Sequence, residues 1–171
     1  MRVIGGLTVA TAVATPVVMA GPTPAHASTA RPVATVVKQA KHKTWAQREV
    51  LAQKALKYAA SKKGKPYRYG AAGPNAFDCS GLVQWAYRKA GVQLPRVTTA
   101  QYRAVHNKIA WKNLAPGDLV FFNGKGHVGI VYKKKGRTLY MIHAPHTGDH
   151  VRVVKLDSYR KKTFAGAVRP Y

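Results

Sequence analysis

The chain has 171 residues, of which 29 are Lys or Arg and 5 are Asp or Glu, giving a net charge of +24 with histidines neutral. Its length suits one domain with one sizeable core, and its single cysteine, Cys79, excludes an intramolecular disulfide. Small domains are comfortable at net charges of about 2 to 8 in magnitude, so a merely solvated face does not account for the excess and a polyanionic partner is expected.

The first 27 residues read as a secretory signal, with Arg2, an apolar run from Val3 to about Ala20, and the small-x-small site Ala25-His26-Ala27. Cleavage is expected after Ala27. Thr8, Thr11 and Thr15 weaken the run and Pro16 interrupts it, short of the ~18 apolar residues of a membrane span. No later segment approaches that length. The expected mature protein is therefore soluble and secreted, with 144 residues (171 less 27) and a charge of +23 once Arg2 is removed from the +24. Among extracellular polyanions, export favours wall polymers over membrane surfaces or released nucleic acid.

Residues 28–44, with Ser28, Thr29, Pro32 and the cluster Lys38, Lys41, His42, Lys43, read as a basic flexible arm. From Trp45 to about Lys62, Leu51, Ala55, Tyr58 and Ala59 recur at helical spacing, with Thr44 as N-cap and Gly64 and Pro66 closing the segment. Residues 67–77, rich in Gly, Ala and Pro, form a loop that leads to Asp78, an N-cap type residue. A second helix then runs from about Cys79 to Ala90 and stops at Gly91, with Leu82, Val83, Ala86 and Ala90 on the face of Cys79. A short helix is expected near Thr98 or Thr99. Beyond Pro116-Gly117 the period becomes two, with strands at 118–122, 127–132, 138–143 and 150–156 separated by turns such as Asn123-Gly124 and Lys135-Gly136. Helices followed by strands predict an α+β domain over residues 45–171.

A lone thiol in an exported chain is a small buried hydrophobe, an intermolecular crosslink or a nucleophile. Cys79 stands at a helix N-terminus, where unpaired N–H groups and the helix dipole lower a thiol pKa; equally, it fits the apolar stripe of its helix. The strands favour the nucleophile. If Val131 lies opposite Leu139 in a hairpin, Gly129 meets Met141 and His127 meets His143, with Cβ atoms roughly 5 Å apart. One imidazole can then act as base while the other holds its ring, and Gly129 leaves room beside them.

Tyr67-Arg68-Tyr69-Gly70, Asp78-Cys79-Ser80-Gly81-Leu82, Pro95-Arg96, Pro116-Gly117-Asp118-Leu119-Val120-Phe121-Phe122, His127-Val128-Gly129-Ile130 and Met141-Ile142-His143-Ala144-Pro145 follow one another in order. Together they resemble the NlpC/P60 family of cell-wall cysteine endopeptidases, from about Trp45 to Tyr171. The resemblance implies a circularly permuted papain-like fold, and hydrolysis of peptidoglycan stem peptides between D-γ-glutamate and the following diamino acid. It assigns Cys79 as nucleophile, His127 as its base and His143 as the residue that orients His127. Tyr67 would hold the oxyanion with the Cys79 N–H, and Asp78 and Ser80 would line the acyl side of the cleft, where Asp78 in some members reads a free amine. It implies no cofactor. In one departure, Ala71 follows Gly70 where many relatives carry a second glycine, which narrows the approach loop.

Rival readings remain. His143, His146, Asp149 and His150 suggest metal ligation, against which stand the single cysteine, Pro145, and the need for three ligands from one loop. A basic polyanion-binding protein without important catalysis would explain the charge, with Tyr67, Tyr69, Tyr102, Trp111 and Tyr132 as stacking groups, but it has no need of the Cys, His, His and Tyr set. An amidase or acyltransferase would use that same set. His42 and His106 suggest only surface positions. A monomer without specific nucleic-acid recognition is expected, held on anionic wall polymers by the clusters at Lys38–Lys43, Lys62–Arg68, Lys133–Arg137 and Arg160–Lys162.

Overall fold

The computed structural model describes residues 44–171; the expected signal segment and residues 28–43 of the expected arm lie outside the described residues. The elements run α1 (Trp45–Ala60), α2 (Cys79–Ala90), α3 (Thr98–Ala104), β1 (Lys108–Ile109), β2 (Leu119–Phe122), β3 (His127–Lys135), β4 (Thr138–His143), β5 (Arg152–Lys155), α4 (Ser158–Lys162) and β6 (Phe164–Val168). The six strands form one antiparallel sheet in the order β1-β6-β2-β3-β4-β5. Among the described residues no helix is long and apolar enough to cross a membrane.

The helix ends follow their local chemistry. Thr44 and Gln47 form a reciprocal capping box at the start of α1. Asp78 caps α2 by accepting from the Gly81 N–H at 2.7 Å, and Gly91 ends the helix in the left-handed region at φ 95°. The buried face of α1 is Ala52, Ala55, Leu56 and Ala59, whereas Tyr58, expected on it, is 38% exposed. The spacing is still helical, but the face is rotated toward the small residues that let α1 sit close on α2. That second helix is central: Leu82, Val83, Trp85, Ala86 and Tyr87 are all buried.

The sheet is covered on both faces. Leu119, Phe121, Val128, Ile130 and Ile142 pack with α1 and α2, while Val120, Phe122, Val131 and Met141 pack with Leu114 and Leu156 on the other side. This explains why β2 reads as the unbroken apolar run Leu-Val-Phe-Phe, buried throughout, and does not alternate. Behind β2, Asp118 is fully buried and accepts from the Arg169 Nε at 2.7 Å, from its Nη2 at 2.8 Å, and from the Ala115 N–H at 2.8 Å. The Asp118 of the Pro-Gly-Asp block is thus a structural clamp on the C-terminal segment.

Three elements were not expected: the two-residue β1, the single-turn α4, and β6, whose Phe-Ala-Gly-Ala-Val sequence is too poor in large side chains to announce a strand. The hairpin register also differs from expectation. Val131 pairs with Met141 and Ile130 with Ile142, and an irregularity between Val131 and Lys133 leaves Tyr132 as the extra residue. The ladder continued from these pairs sets His143 opposite Gly129, and His127 lies diagonal to it.

Candidate active site

Cys79 opens α2 at the floor of a cleft of about 390 Å³, lined also by Tyr67, Asp78, Ser80, Arg96 and Thr98. Tyr67 reaches it through short loop pairings. Its N–H donates to the Asp149 carbonyl at 2.8 Å, and the Arg68 N–H donates to the Phe77 carbonyl at 3.0 Å, which ties the 67–68 segment alongside the residues just before Cys79. Gly81 permits the close approach of α2 to the preceding loop, because a Cβ there would lie 2.1 Å from the Ala71 carbonyl oxygen.

His127, at the first position of β3, and His143, at the last of β4, meet with His127 Nε2 2.8 Å from His143 Nδ1 and their rings edge-on at 79°. Gly129 makes the diagonal meeting feasible: a Cβ there would stand 2.8 Å from the Met141 sulfur and 3.4 Å from the His143 Cβ. The Val128 N–H, next along from His127, interacts with the Cys79 thiol, which brings the sulfur to the start of β3. Tyr67, Cys79, Asp78 and Ser80 thus share the cleft, and the Val128 contact puts the thiol against the start of the strand that carries His127, whose ring meets that of His143 edge-on.

The electrostatics correct one expectation. Burial pushes the Cys79 thiol above its ordinary pKa, and the charge of Asp78 adds to the rise, although the N–H groups of Val128, Ser80 and Cys79 itself pull the other way. The helix N-terminus therefore offsets part of the rise that burial causes. Burial, then the charge of Arg160, holds His127 down at about 4, and burial pushes His143 down further still. Burial also raises the Tyr67 hydroxyl, which stays a donor. Burial thus favours the neutral forms of the thiol and of both imidazoles.

Burial opposes the charged form of Asp78, but the Arg96 guanidinium and the Gly81 N–H outweigh it and hold the carboxyl below its usual range. Its two oxygens accept from the Gly70 N–H at 2.9 Å, the Gly81 N–H at 2.7 Å, the Ser80 hydroxyl at 3.3 Å and both terminal nitrogens of Arg96. A carboxylate offers about four lone-pair sites, so internal donors saturate this one. Arg96 also donates to Ser80 Oγ at 2.9 Å.

Two residues important here carried no expected role. Arg96 belongs to a motif block, but its partner lies 18 residues away in sequence. Gln101, fully buried on α3, donates through Nε2 to the Ser80 and Pro95 carbonyls, both at 3.0 Å, and so ties the N-terminus of α2 to the Arg96 loop. A glutamine on a short polar helix gives no signal of burial.

The proposed metal ligands are arranged otherwise. The Asp149 carboxylate meets Arg152 at 2.8 Å and ring nitrogens of His150 and His146 at 3.4 and 3.7 Å, while His143 is buried behind His127. Among the described residues no group of three or more His, Cys, Asp and Glu side chains is placed to hold a metal ion. His106 is exposed, and His42 lies outside the described residues.

A cysteine on a helix N-terminus, in contact with the start of the strand that carries one of two paired sheet histidines, on an α+β frame, defines a papain-like cysteine hydrolase architecture. The chain belongs to the NlpC/P60 family, whose model matches residues 64–169. It is 45% identical over 87 residues to a Corynebacterium glutamicum protein described as a "Probable endopeptidase", covering 50% of this chain and 41% of that one. It is 46% identical over 96 residues to the bifunctional muramidase/DL-endopeptidase CwlT of Bacillus subtilis, covering 52% of this chain and 27% of the relative. The crystal structure of an NlpC/P60 family protein from Bacillus cereus superposes with a TM-score of 0.62 at 30% identity, over 70% of this chain and 40% of that one. The chain therefore spans less than half the length of these relatives.

Proposed function

We propose that this protein is a secreted cysteine endopeptidase of peptidoglycan that cleaves stem peptides at the bond between D-γ-glutamate and the diamino acid. The pairing of His127 Nε2 with His143 Nδ1, where His127 is next in the chain to Val128, whose N–H meets the Cys79 thiol, carries the reading, and the family and a relative named as a DL-endopeptidase support it.

With Nε2 engaged by His143, His127 has Nδ1 free for the thiol. In the productive tautomer Nε2–H donates to His143 Nδ1, and Nδ1 takes the proton as sulfur attacks the acyl carbonyl. His143 is the weaker base of the two, so it accepts the hydrogen bond without competing for the proton. The Tyr67 hydroxyl and the Cys79 N–H, one of the unpaired donors of the helix start, stabilise the oxyanion, each donor contributing roughly 3 kcal/mol. His127 then protonates the departing amine, leaving a thioester, and activates the water that hydrolyses it. Asp78 and Ser80 line the acyl side and act through Arg96. The excess positive charge holds the enzyme on anionic wall polymers.

The test is to incubate the full chain and its Cys79→Ala form with purified peptidoglycans of each diamino acid type and identify the products by mass spectrometry. New γ-glutamyl ends that depend on Cys79 are expected. Cleavage at another amide would turn the reading toward an amidase or acyltransferase.

A further inference from the structure

At the far end of α2 from Cys79, α1 and α2 enclose an open groove of about 470 Å³ lined by Lys54, Lys57 and Tyr58 of the first helix and Arg88 and Lys89 of the second. All four cations are exposed, and no carboxylate lines the groove. Arg88 lies nine residues beyond Cys79, about 13 Å along the helix axis, and the groove shares no lining residue with the catalytic cleft.

Among the described residues no acid forms an ion pair with these cations. The chain's 5 carboxylates all have other partners: Glu49 accepts from Gln53, Asp78 from Arg96, Asp118 from Arg169, Asp149 from Arg152, and Asp157 caps α4. Complementing the helix dipoles accounts for cations in the last turns, such as Lys57, Arg88 and Lys89. It accounts neither for Lys54 nor for four cations converging on one concavity. Together they give the concavity a positive potential that favours an anion.

We propose that this groove is a binding site for a phosphodiester polymer, a flexible chain of polyol or sugar units joined by phosphates, and that it anchors the protein while the catalytic cleft stays free. The proposal rests on the reading that the protein works at the cell wall. The groove is poorly suited to nucleic acid, whose single strands are held by successive aromatic platforms. Its one aromatic is Tyr58, packed edge-on to Trp85 at 6.0 Å, and the Trp85 ring is itself covered by Lys62 Nζ at 4.7 Å. Tyr102 and Trp111, the stacking groups a nucleic-acid reading would use, pack against Phe121 and Phe164.

The experiment compares two variants of the full chain with equal loss of charge, each in the Cys79→Ala background so that walls stay intact. One carries Lys54→Gln, Lys57→Gln, Arg88→Gln and Lys89→Gln; the other carries Lys133→Gln, Lys134→Gln, Lys135→Gln and Arg137→Gln at the β3–β4 hairpin tip. On walls retaining their phosphodiester polymers, the groove variant should bind at least tenfold more weakly. Its salt slope should be shallower by about 3, at roughly 0.7 per lost phosphate contact. The tip variant, whose cluster contributes only diffuse attraction to the wall, should lose no more than about threefold, and stripping the polymers with hydrofluoric acid should erase the difference between the two variants. Equal loss in both variants would overturn the site in favour of diffuse charge, and an undiminished difference on stripped walls would overturn the ligand. Stronger competition by an oligothymidylate than by polyglycerol phosphate of equal charge would reassign the groove to nucleic acid. With Cys79 restored, the groove variant should cleave soluble stem peptides at the parental rate. Failure of the parent itself to cleave them would overturn the endopeptidase reading and leave the binding result standing.

Discussion

His127 Nε2 lies 2.8 Å from His143 Nδ1 although the two residues are not partners in the β3–β4 ladder. The diagonal geometry lets His143, which is 1% exposed, support the ring of His127 from within the core. In the proposed mechanism His143 is therefore a positioning residue. His127→Ala should lower kcat by about 10³-fold or more through loss of the base. His143→Ala should cost about 10- to 100-fold in kcat with KM nearly unchanged, since the base remains but is misplaced. His143→Gln, which keeps an acceptor near the same place, should recover part of that loss. Equal losses for all three variants would make His143 a participant in the chemistry. Steady-state kinetics on a soluble stem peptide separate these outcomes.

The burial of the Cys79 thiol and of His127 has a pH signature. Cys79 is pushed above the ordinary thiol value, and His127 is held at about 4. Alkylation by iodoacetamide should accelerate only through and above the usual thiol range, near pH 8.5, while the acid limb of kcat/KM should fall near pH 4. A plateau of alkylation from pH 5 to 7 would instead reveal a preformed thiolate–imidazolium pair.

The same burial ties stability to acid. Both histidines have folded pKa values below their ordinary 6.5, so between that value and about 4, where His127 titrates, the unfolded chain binds the more protons. Stability is then complete above about pH 6.5 and decreases as the pH falls through this window. Thermal unfolding should show Tm falling from pH 6.5 to 4, with a shallower slope for His143→Gln, from which one of the two titrating groups is missing. An unchanged slope would mean that His143 is protonated equally in both states.

Gly129 and Gly81 make a steric prediction. A methyl at 129 would meet the Met141 sulfur at 2.8 Å and the Ile142 carbonyl at 3.2 Å, while one at 81 would meet the Ala71 carbonyl oxygen at 2.1 Å. The Met141 side chain is flexible and can yield, whereas the Ala71 carbonyl belongs to the loop that Asp78 and Arg96 hold in place. Gly129→Ala should therefore fold with a loss of about 1 to 3 kcal/mol, in the range of overpacked cores, and with reduced kcat. Gly81→Ala should be the more damaging to stability in urea titrations, and the reverse order would show that the loop is softer than the strand.

What the sequence made legible was local. Thr44, Asp78 and Gly91 announce helix ends because a cap acts within three or four residues, and Cys79, His127 and His143 stand out as scarce reactive groups beside such signals. Pairings across the chain were not legible. Alternation alone cannot disclose that Tyr132 is an extra residue, so the expected register put His127 opposite His143, when Gly129 is the residue opposite it. The small residues of β6 are recognisable as a strand only once β1 and β2 flank them. The sign of the Cys79 shift was missed for the same reason: the helix start is visible in the sequence, but the burial that outweighs it comes from packing.

Arg96 and Asp78 were also joined only by the fold, and their pairing explains how Asp78 serves the site. The carboxylate is saturated by internal donors, so its influence on catalysis runs through the structure it holds: the α2 cap, the Gly70 N–H and the Arg96 guanidinium beside Ser80. Asp78→Asn preserves a good N-cap but removes the charge; Arg96→Leu removes the partner and leaves a nearly buried carboxylate short of donors. Each should lower stability by about 2 kcal/mol, below the 3 to 5 of a fully buried pair because a third of the Arg96 side chain is exposed, and each should reduce kcat/KM. If the two act as a unit, the double variant should be little worse than either single one, giving a coupling energy of at least about 1 kcal/mol in a double-mutant cycle. Additive losses in kcat/KM would show that Asp78 has a separate contact with the substrate, as a reader of its free amine.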